Sequence, residues 1–495
     1  MKEFLENKKL LFIFELANNH NGSKKNAFKL IDDAKKISKY KNINFGFKLQ
    51  FRNLKSFLHK NSKKVANKHV KRFIDTKLED KDYLEICKYI KKKGFKLVIT
   101  PFDEKSVELA KKGKVDIIKI ASCSNNDWPL IEKIAEQKKP VIASTGGINF
   151  DEIDNLSHFF ANKKLKLSIL HCVSIYPTKD NNSFNLNVIK KMIKRYPQNI
   201  IGYSGHEEET NFLPSICAAA AGGQIIERHF SNLEKKNDYS ISSDKLDSLL
   251  KQIDDALDLM GNFEKNLSKK EVESIQDLQR GVFAREKILK NSKNLKNKIY
   301  LAFPKMHKDQ LSPKDLSSDI KIINNHKKDD YVLGKKEINK ISFIRKYVHR
   351  YKFMLNEAGV VTGDDCSAEL SHHYGIDKIE KFGAFLITVV NSTYCKKLVC
   401  LFENQYHPKH KHFKKIETFH ILSGVLKLKK ENTVYKLYPG EKINVLNNEW
   451  HEFTTETGCI FEEVSTESLK RDSVYFDKKI QNVDLLFRKT PVNLT

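Results

Sequence analysis

The chain has 495 residues, of which 40% are hydrophobic, so it is long enough for two to four domains and can form sizeable cores. Its formal net charge is +27, but lysine is spread along the whole sequence without a nucleic-acid-binding motif, which argues against a nucleic-acid partner. No stretch approaches the roughly 20 apolar residues that cross a bilayer, and the N-terminus lacks the apolar segment of a signal peptide, so we expect a cytoplasmic protein with no membrane partner.

Short apolar runs rich in β-branched residues recur eight times in the first half of the chain, and Lys-rich segments with helical periodicity separate them. Buried parallel strands typically have such continuous apolar sequences. Eight strand–helix units in about 250 residues predict an α/β TIM barrel over 1–265. A doubly wound sheet is the alternative, but its Gly-rich first turn is missing. The predicted strands are 10–16, 44–50, 96–101, 116–122, 140–145, 167–172, 199–204 and 224–230.

The pattern changes after the predicted barrel. Residues 266–328 contain two short predicted strands in a compact segment, and the polar, charged run that follows predicts a linker over 329–345. From 346 to 495, short strands alternate with glycine-containing turns, which is typical of a β-sandwich or a small β-barrel.

Polar side chains stand at the C-terminal end of every predicted barrel strand. In TIM barrels these ends meet at one rim, where active sites lie. Burying that many unpaired polar and charged groups in a core would cost several kcal/mol for each charge, so the pattern favours a site. The candidate residues are Glu15, Lys48, Gln50, Lys119, Ser122, Ser144, Ser174, Tyr176, Ser204, His206 and His229.

These residue types indicate a chemistry. Lysines and serines beside glycine amides can hold a phosphate or a carboxylate. His206 and His229 come from neighbouring strands, so their imidazoles can share one divalent ion that acts as a Lewis acid. Glu15 can orient a hydroxyl group or serve as a general base. A Schiff-base aldolase that uses Lys119 is the alternative.

Six stretches occur in the order of one known family: 14–22, 47–50, 100–103, 118–122, 170–178 and 226–230. With them the chain resembles the sialic acid (N-acetylneuraminate) synthase family. The resemblance implies a transferase that condenses phosphoenolpyruvate with an N-acylated amino-sugar aldehyde, such as N-acetylmannosamine or a 2,4-diacetamido-hexose. The product would be a nonulosonic acid, with release of phosphate.

The same resemblance implies roles for single residues. His206 and His229 would bind a manganese-type ion. The phosphoenolpyruvate ligands would be Lys48, Lys119, Ser122 and Ser144, and Glu15, Tyr176 and Asp238 would contact the sugar, with Glu15 near the reacting centre. Gln50, Ser174 and Ser204 complete the expected substrate-binding set.

The sequence departs from the family in three places. The usual Ser-Asp-His-Thr after the seventh strand is Ser204-Gly205-His206-Glu207, so a carboxylate is missing at 205 and a new one stands at 207. Ser174 replaces a common asparagine. The small antifreeze-like (SAF) domain that would donate an arginine across a homodimer is matched only by a divergent 266–328 segment.

A second motif lies in the C-terminal half. His410 and His412 are followed by Glu417, and His451 follows a later glycine, which resembles the two cupin motifs of a double-stranded β-helix. Two histidines two residues apart on a strand point to the same face. The four residues predict a site for a second divalent transition metal. A bifunctional protein is the alternative, in which the cupin binds a sugar or isomerises it with Glu463 as proton carrier.

Overall fold

Eight parallel strands close into a barrel in the first of the two units into which the chain divides, Met1–Lys265 and Asn266–Thr495. The computed structural model describes residues 9–64, 67–293, 295–337, 339–363, 365–469 and 472–493. Each strand pairs with the next and the last pairs with the first, which confirms the predicted TIM barrel. The strands are β1 (Leu10–Glu15), β2 (Ile43–Phe51), β3 (Lys96–Pro101), β4 (Ile117–Ile120), β5 (Val141–Ser144), β6 (Leu167–Cys172), β7 (Ile200–Gly205) and β8 (Ile225–His229).

The helices of this unit pack their apolar faces on the outside of the strands. Polar side chains cap several of them. In one case Asn149 and Glu152 form a reciprocal capping box at the start of a helix. The helices are α1 (Lys24–Ile37), α2 (Leu54–Phe57), α3 (Lys68–Asp75), α4 (Asp80–Lys92), α5 (Glu104–Lys112), α6 (Trp128–Ala135), α7 (Phe150–Asn162), α8 (Asn187–Arg195), α9 (Leu213–Ala220) and α10 (Ser243–Met260).

Alternation along the strands decides which side chains reach the barrel interior. In β1, Phe12 and Phe14 belong to the cluster shared with the helices, whereas Leu11 and Ile13 belong to a separate cluster inside the barrel. Because successive residues of a strand point to opposite faces, Glu15 continues the inward row at the carboxyl end. Both faces of β1 are therefore buried, one against the helices and the other inside the barrel. This explains why its apolar sequence is continuous.

The second unit begins with α11 (Lys269–Asp277) and two small antiparallel sheets. One pairs β9 (Gly281–Ala284) with β10 (Ile299–Ala302), and the other pairs β11 (Asp319–Ile322) with β12 (Gly334–Glu337). The structure differs here from the linker expected at 329–345. Val332 is buried in the core of this segment, and β12 is a mostly exposed edge strand whose charged side chains explain its polar sequence.

Two antiparallel sheets form the rest of the second unit and confirm the all-β, cupin-like fold. The strand orders are β20-β17-β22-β15-β14-β13-β24 and β19-β18-β21-β16-β23, and apolar side chains from both sheets share one core. The strands are β13 (Ser367–Ser371), β14 (Ala384–Asn391), β15 (Tyr394–Leu401), β16 (Tyr406–His412), β17 (Glu417–Gly424), β18 (Leu426–Lys430), β19 (Thr433–Leu437), β20 (Lys442–Val445), β21 (His451–Thr454), β22 (Cys459–Thr466), β23 (Ser473–Tyr475) and β24 (Lys489–Val492).

Three helices accompany these sheets: α12 (Lys340–Glu357), α13 (Lys478–Gln481) and α14 (Leu485–Arg488). The apolar face of α12 packs on the seven-stranded sheet through Tyr347, Tyr351 and Leu355. Across the described ranges of both units, we find no helix with the length and apolar character that spanning a membrane requires.

Candidate active site and metal centres

A buried network of charges lies at the carboxyl ends of the barrel strands. Lys48 Nζ pairs with the Glu15 carboxylate and lies 2.5 Å from Glu227 Oε1. Lys119 Nζ lies 3.5 Å from the other oxygen of Glu227, and Ser204 Oγ donates to the carboxylate at 3.1 Å. The two lysines therefore share one carboxylate, and they lie on the same side of the barrel interior.

Burial and charge act against each other in this network. Burial alone would raise the pKa of Glu227, but Lys119 and Lys48 outweigh it and lower that pKa to about 2. For Lys119, burial is the larger effect and lowers the pKa, although Glu227 opposes it. For Glu15, burial likewise outweighs the attraction of Lys48 and raises the pKa. Lys48 thus pairs with two carboxylates, whereas Lys119 lies 3.5 Å from Glu227, so an incoming anion would find Lys119 the less compensated ammonium group.

Hydroxyl groups and a glycine lie beside Lys119. Lys119 Nζ donates to Ser144 Oγ at 2.6 Å, and the backbone N–H of Gly146 donates to Ser122 Oγ at 3.1 Å. A Cβ at position 146 would overlap the hydroxyl oxygen of Ser174, so a larger residue there would displace the Ser174 side chain. An ammonium group with hydroxyl donors and a glycine amide nearby is an arrangement that can hold a phosphate or a carboxylate.

His206 and His229 lie side by side at the same rim, with ring centroids 5.4 Å apart. Tyr176 packs 4.2 Å from His206 and Tyr239 packs 4.8 Å from His229. Burial lowers the pKa of His206 to about 4 and that of His229 well below its ordinary value, so both imidazoles are neutral near pH 7. The Nδ1 atom of His229 is buried and has no hydrogen-bond partner in the part of the chain described. Neutral imidazoles with an unused ring nitrogen fit a divalent transition metal.

Other predicted residues surround this centre at different distances. Gln50 Oε1 accepts a hydrogen bond from Arg52 at 2.7 Å, and the guanidinium group lies between the rings of Phe73 and Phe102. Ser174 and Asp238 are exposed at the mouth of the barrel. The structure thus brings together all the predicted barrel residues except Gln50 and Asp238, because the Ser174 hydroxyl lies beside Gly146 and Ser122.

Two residues of the site were not predicted from the sequence, Glu227 and Tyr239. Glu227 connects Lys48, Lys119 and Ser204, and Tyr239, next to Asp238, packs on the histidine pair. The signal for Glu227 was available. It lies two residues before His229 on the same strand, so it must face the same side.

The departure at 205 and 207 has a structural explanation. Glu207 is fully buried and accepts hydrogen bonds from Arg228 at 2.6 Å, and from Tyr203 and Ser215 at 2.9 Å each. A Cβ at Gly205 would overlap Glu207 Oε2. The Glu207 carboxylate therefore occupies the space that a side chain at 205 would need, and it lies in the wall of the barrel with Arg228.

The second unit contains a cluster of three buried histidines. The ring nitrogens of His410, His412 and His451 approach to within 4.8 Å of one another. Glu417 lies 3.4 Å from His412 Nε2 and 3.3 Å from His451 Nε2. His410 is held by Nδ1, which contacts the carbonyl oxygen of Pro408 at 2.9 Å. The structure thus groups the four predicted ligands, and the three imidazoles with an adjacent carboxylate fit a transition metal.

Lys415 connects this cluster to Glu463. Its ammonium group lies 2.6 Å from Glu417 and 2.7 Å from Glu463, and all three residues are buried. Burial would raise the pKa of Glu463, but Lys415 and Lys397 outweigh it and lower it. A carboxylate with a lowered pKa is a weak base, which disfavours Glu463 as the proton carrier of a sugar isomerase.

Comparison with known proteins agrees with the barrel fold. The pattern of the NeuB family matches residues 31–265. An N,N'-diacetyllegionaminic acid synthase of Campylobacter jejuni is 30% identical over 300 residues, which are 57% of this chain and 87% of that protein. A pseudaminic acid synthase of the same species is 27% identical over 344 residues, 66% of this chain and 98% of that protein.

A solved structure is also similar. The crystal structure of a spore coat polysaccharide biosynthesis protein E from Chromobacterium violaceum has a TM-score of 0.62 and 35% sequence identity, and covers 66% of this chain and 98% of that chain. The chain therefore belongs to the NeuB family, and it is an enzyme of that family's phosphoenolpyruvate-dependent transferase class.

Proposed function

We propose that the barrel is a nonulosonic acid synthase that condenses phosphoenolpyruvate with an N-acylated amino-sugar aldehyde and releases phosphate. One observation carries the proposal: the Lys48–Glu227–Lys119 network and the His206–His229 pair lie at the same end of the barrel. The first offers positive charge to an anionic substrate, and the second offers neutral metal ligands. A reaction between a phosphorylated enol and an aldehyde can use both, the first to bind the phosphate and the second to hold a Lewis acid.

Phosphoenolpyruvate occupies the side of Lys119 in this proposal. Lys119 and Lys48 supply charge, while Ser144 and Ser122 supply hydroxyl groups to its phosphate and carboxylate. When the substrate's negative charge arrives, Lys119 gains a second anionic partner, which offsets the burial of its ammonium group. The substrate thus adds to the charge compensation that Lys119 receives from Glu227 at 3.5 Å.

The sugar lies on the side of the two histidines. Tyr176 is half exposed beside His206 and forms a wall against which a sugar ring can pack. Glu15 holds its carboxylate beside Lys48, and its raised pKa suits proton exchange with a hydroxyl group or water at the reacting centre. A divalent ion bound by His206 and His229 would supply Lewis acidity toward the aldehyde. The carbon–carbon bond forms between C3 of the enol and the aldehyde carbon, and water at C2 leads to loss of phosphate.

We propose a separate role for the second unit, which is to bind a divalent transition metal at His410, His412, His451 and Glu417. The grouping of three ring nitrogens within 4.8 Å supports this assignment. Glu463 is engaged by the ammonium group of Lys415 at 2.7 Å, which favours a binding site over an isomerase that needs a free carboxylate.

The experiment is a phosphate-release assay on the full chain. It uses phosphoenolpyruvate, manganese and a panel of N-acylated hexosamines, with wild type, His229→Ala and His158→Ala. His158 is an exposed histidine of α7 and serves as the matched control. We expect release that depends on metal and sugar in wild type and in the control, and none in His229→Ala. Full release by His229→Ala, or trapping of Lys119 by borohydride with a carbonyl substrate, would reject the synthase in favour of another chemistry.

A further inference from the structure

A buried arginine lies near the histidine cluster of the second unit and lacks a counter-ion. Arg488, at the end of α14, is 9% exposed, and its Nε and Nη1 atoms are buried without a hydrogen-bond partner among the residues that the structure describes. Among the described residues, the arginine–carboxylate ion pairs belong to Arg195, Arg228 and Arg350 and not to Arg488. A charged guanidinium group without a carboxylate partner in an interior is costly. The arrangement thus favours an anionic ligand.

The arginine is continuous with the three-histidine cluster through packed rings. The guanidinium carbon lies 5.1 Å from the ring centroid of Tyr475. The Tyr475 ring lies 5.0 Å from His373 and 5.4 Å from His410, which belongs to the proposed metal site. The backbone also connects the two regions, because the carbonyl oxygen of Arg488 accepts a hydrogen bond from the N–H of His372 at 2.8 Å.

A pair of histidines beside Tyr475 also has unused hydrogen-bonding capacity. His373 Nε2 and His407 Nε2 lie 3.0 Å apart, so one ring donates to the other. The Nδ1 atoms of both rings are buried and without partners in the described ranges. These Nδ1 atoms can therefore donate or accept hydrogen bonds to the polar groups of a ligand.

We infer that the interior of the cupin-like domain binds a carboxylate-bearing sugar, whose carboxylate pairs with Arg488 and whose hydroxyl groups reach His373, His407 and the three-histidine cluster. Lys415 pairs with Glu417 and Glu463, so the group left to receive an anion is Arg488. The planar fork of one guanidinium group matches a carboxylate, which favours a carboxylate ligand. The reaction proposed for the barrel produces a sugar acid of this class. That link rests on the proposed function, whereas the anion site itself does not.

The test is calorimetric titration of the full-length, metal-loaded chain with three probes: N-acetylneuraminate, its neutral methyl ester and mannose 6-phosphate. Wild type is compared with Arg488→Gln, Arg488→Lys and Arg285→Gln. Arg285 is an exposed arginine of the same unit and controls for the lost charge. We expect Arg488→Gln to weaken binding of the acid by about tenfold or more and to leave the ester unchanged, because an ionic hydrogen bond to a carboxylate is lost. The affinity of Arg488→Lys for the acid should lie between those of wild type and Arg488→Gln. Arg285→Gln should bind the acid as tightly as wild type.

Equal affinity of wild type and Arg488→Gln for the acid, or no saturable binding to wild type, would overturn the inference. Tighter binding of mannose 6-phosphate than of the acid would contradict the assignment of a carboxylate. Metal content of the variants is measured alongside, so that a loss of the ion is not mistaken for a loss of the anion site. Phosphate release by Arg488→Gln should match wild type, which keeps this result separate from the barrel reaction.

Discussion

Replacing Glu227 by glutamine removes the one carboxylate that Lys48 and Lys119 share. Its oxygens lie 2.5 Å and 3.5 Å from the two ammonium groups, and all three side chains are at most 4% exposed. Breaking a buried ion pair by removing one partner costs about 3–5 kcal/mol. Lys48 keeps Glu15, so we expect a loss near the lower limit, about 3 kcal/mol in the free energy of unfolding of the barrel.

The two tryptophans of the chain allow the barrel to be followed by itself. Trp128 lies in α6 of the barrel and Trp450 in the second unit, so a Trp450→Phe background leaves one reporter. Denaturant unfolding followed by Trp128 fluorescence would give the difference in stability between this background with Glu227 intact and the same background carrying Glu227→Gln. Glu108→Gln removes an exposed glutamate 3.9 Å from Lys133 and should change stability by less than about 1 kcal/mol. If Glu227→Gln lowers the free energy of unfolding by no more than Glu108→Gln does, the assigned network is refuted.

The remaining predictions concern pH, metal and backbone space. Because the lysines lower the folded-state pKa of Glu227 to about 2, the stability it contributes is present in full above its ordinary value of 4.5 and is lost as the pH falls through 2. The gap between wild type and Glu227→Gln should therefore narrow in acid, and a constant gap in unfolding curves would contradict the assignment. His410→Ala should remove one metal equivalent per chain, measured by elemental analysis, while phosphate release stays within about twofold of wild type. Gly202→Ala should destabilise the barrel by about 2 kcal/mol or more, since its Cβ would overlap the Ile225 carbonyl oxygen. Gly147→Ala, with open space but a φ of +79°, should cost about 1 kcal/mol in the same unfolding assay.

The barrel could be predicted closely because its strands are short, apolar and regularly spaced. β3 and β6 have the predicted bounds, and the polar residues that follow each strand meet at one rim as expected. The charge network could be predicted only in part. Periodicity assigns Glu227 to the inner face, but which lysine it pairs with depends on strands far apart in sequence.

Elements with polar sequences were harder to predict. β12 is an exposed edge strand whose sequence resembles that of a loop. The helix α12 mixes aromatic and basic residues, and its packing on the seven-stranded sheet and its Asn339 cap stabilise it. Arg488 gave no sequence signal, because arginine is ordinarily exposed.

The position of the Glu207 carboxylate makes positions 205 and 207 dependent on each other. Restoring an aspartate at 205 alone would place two acidic side chains in one cavity beside the single guanidinium group of Arg228. An aspartate at 205 is therefore tolerated only when the glutamate at 207 is replaced at the same time. A comparison that scores each position independently would count Gly205 as a lost functional group, although the negative charge is still present in the barrel wall.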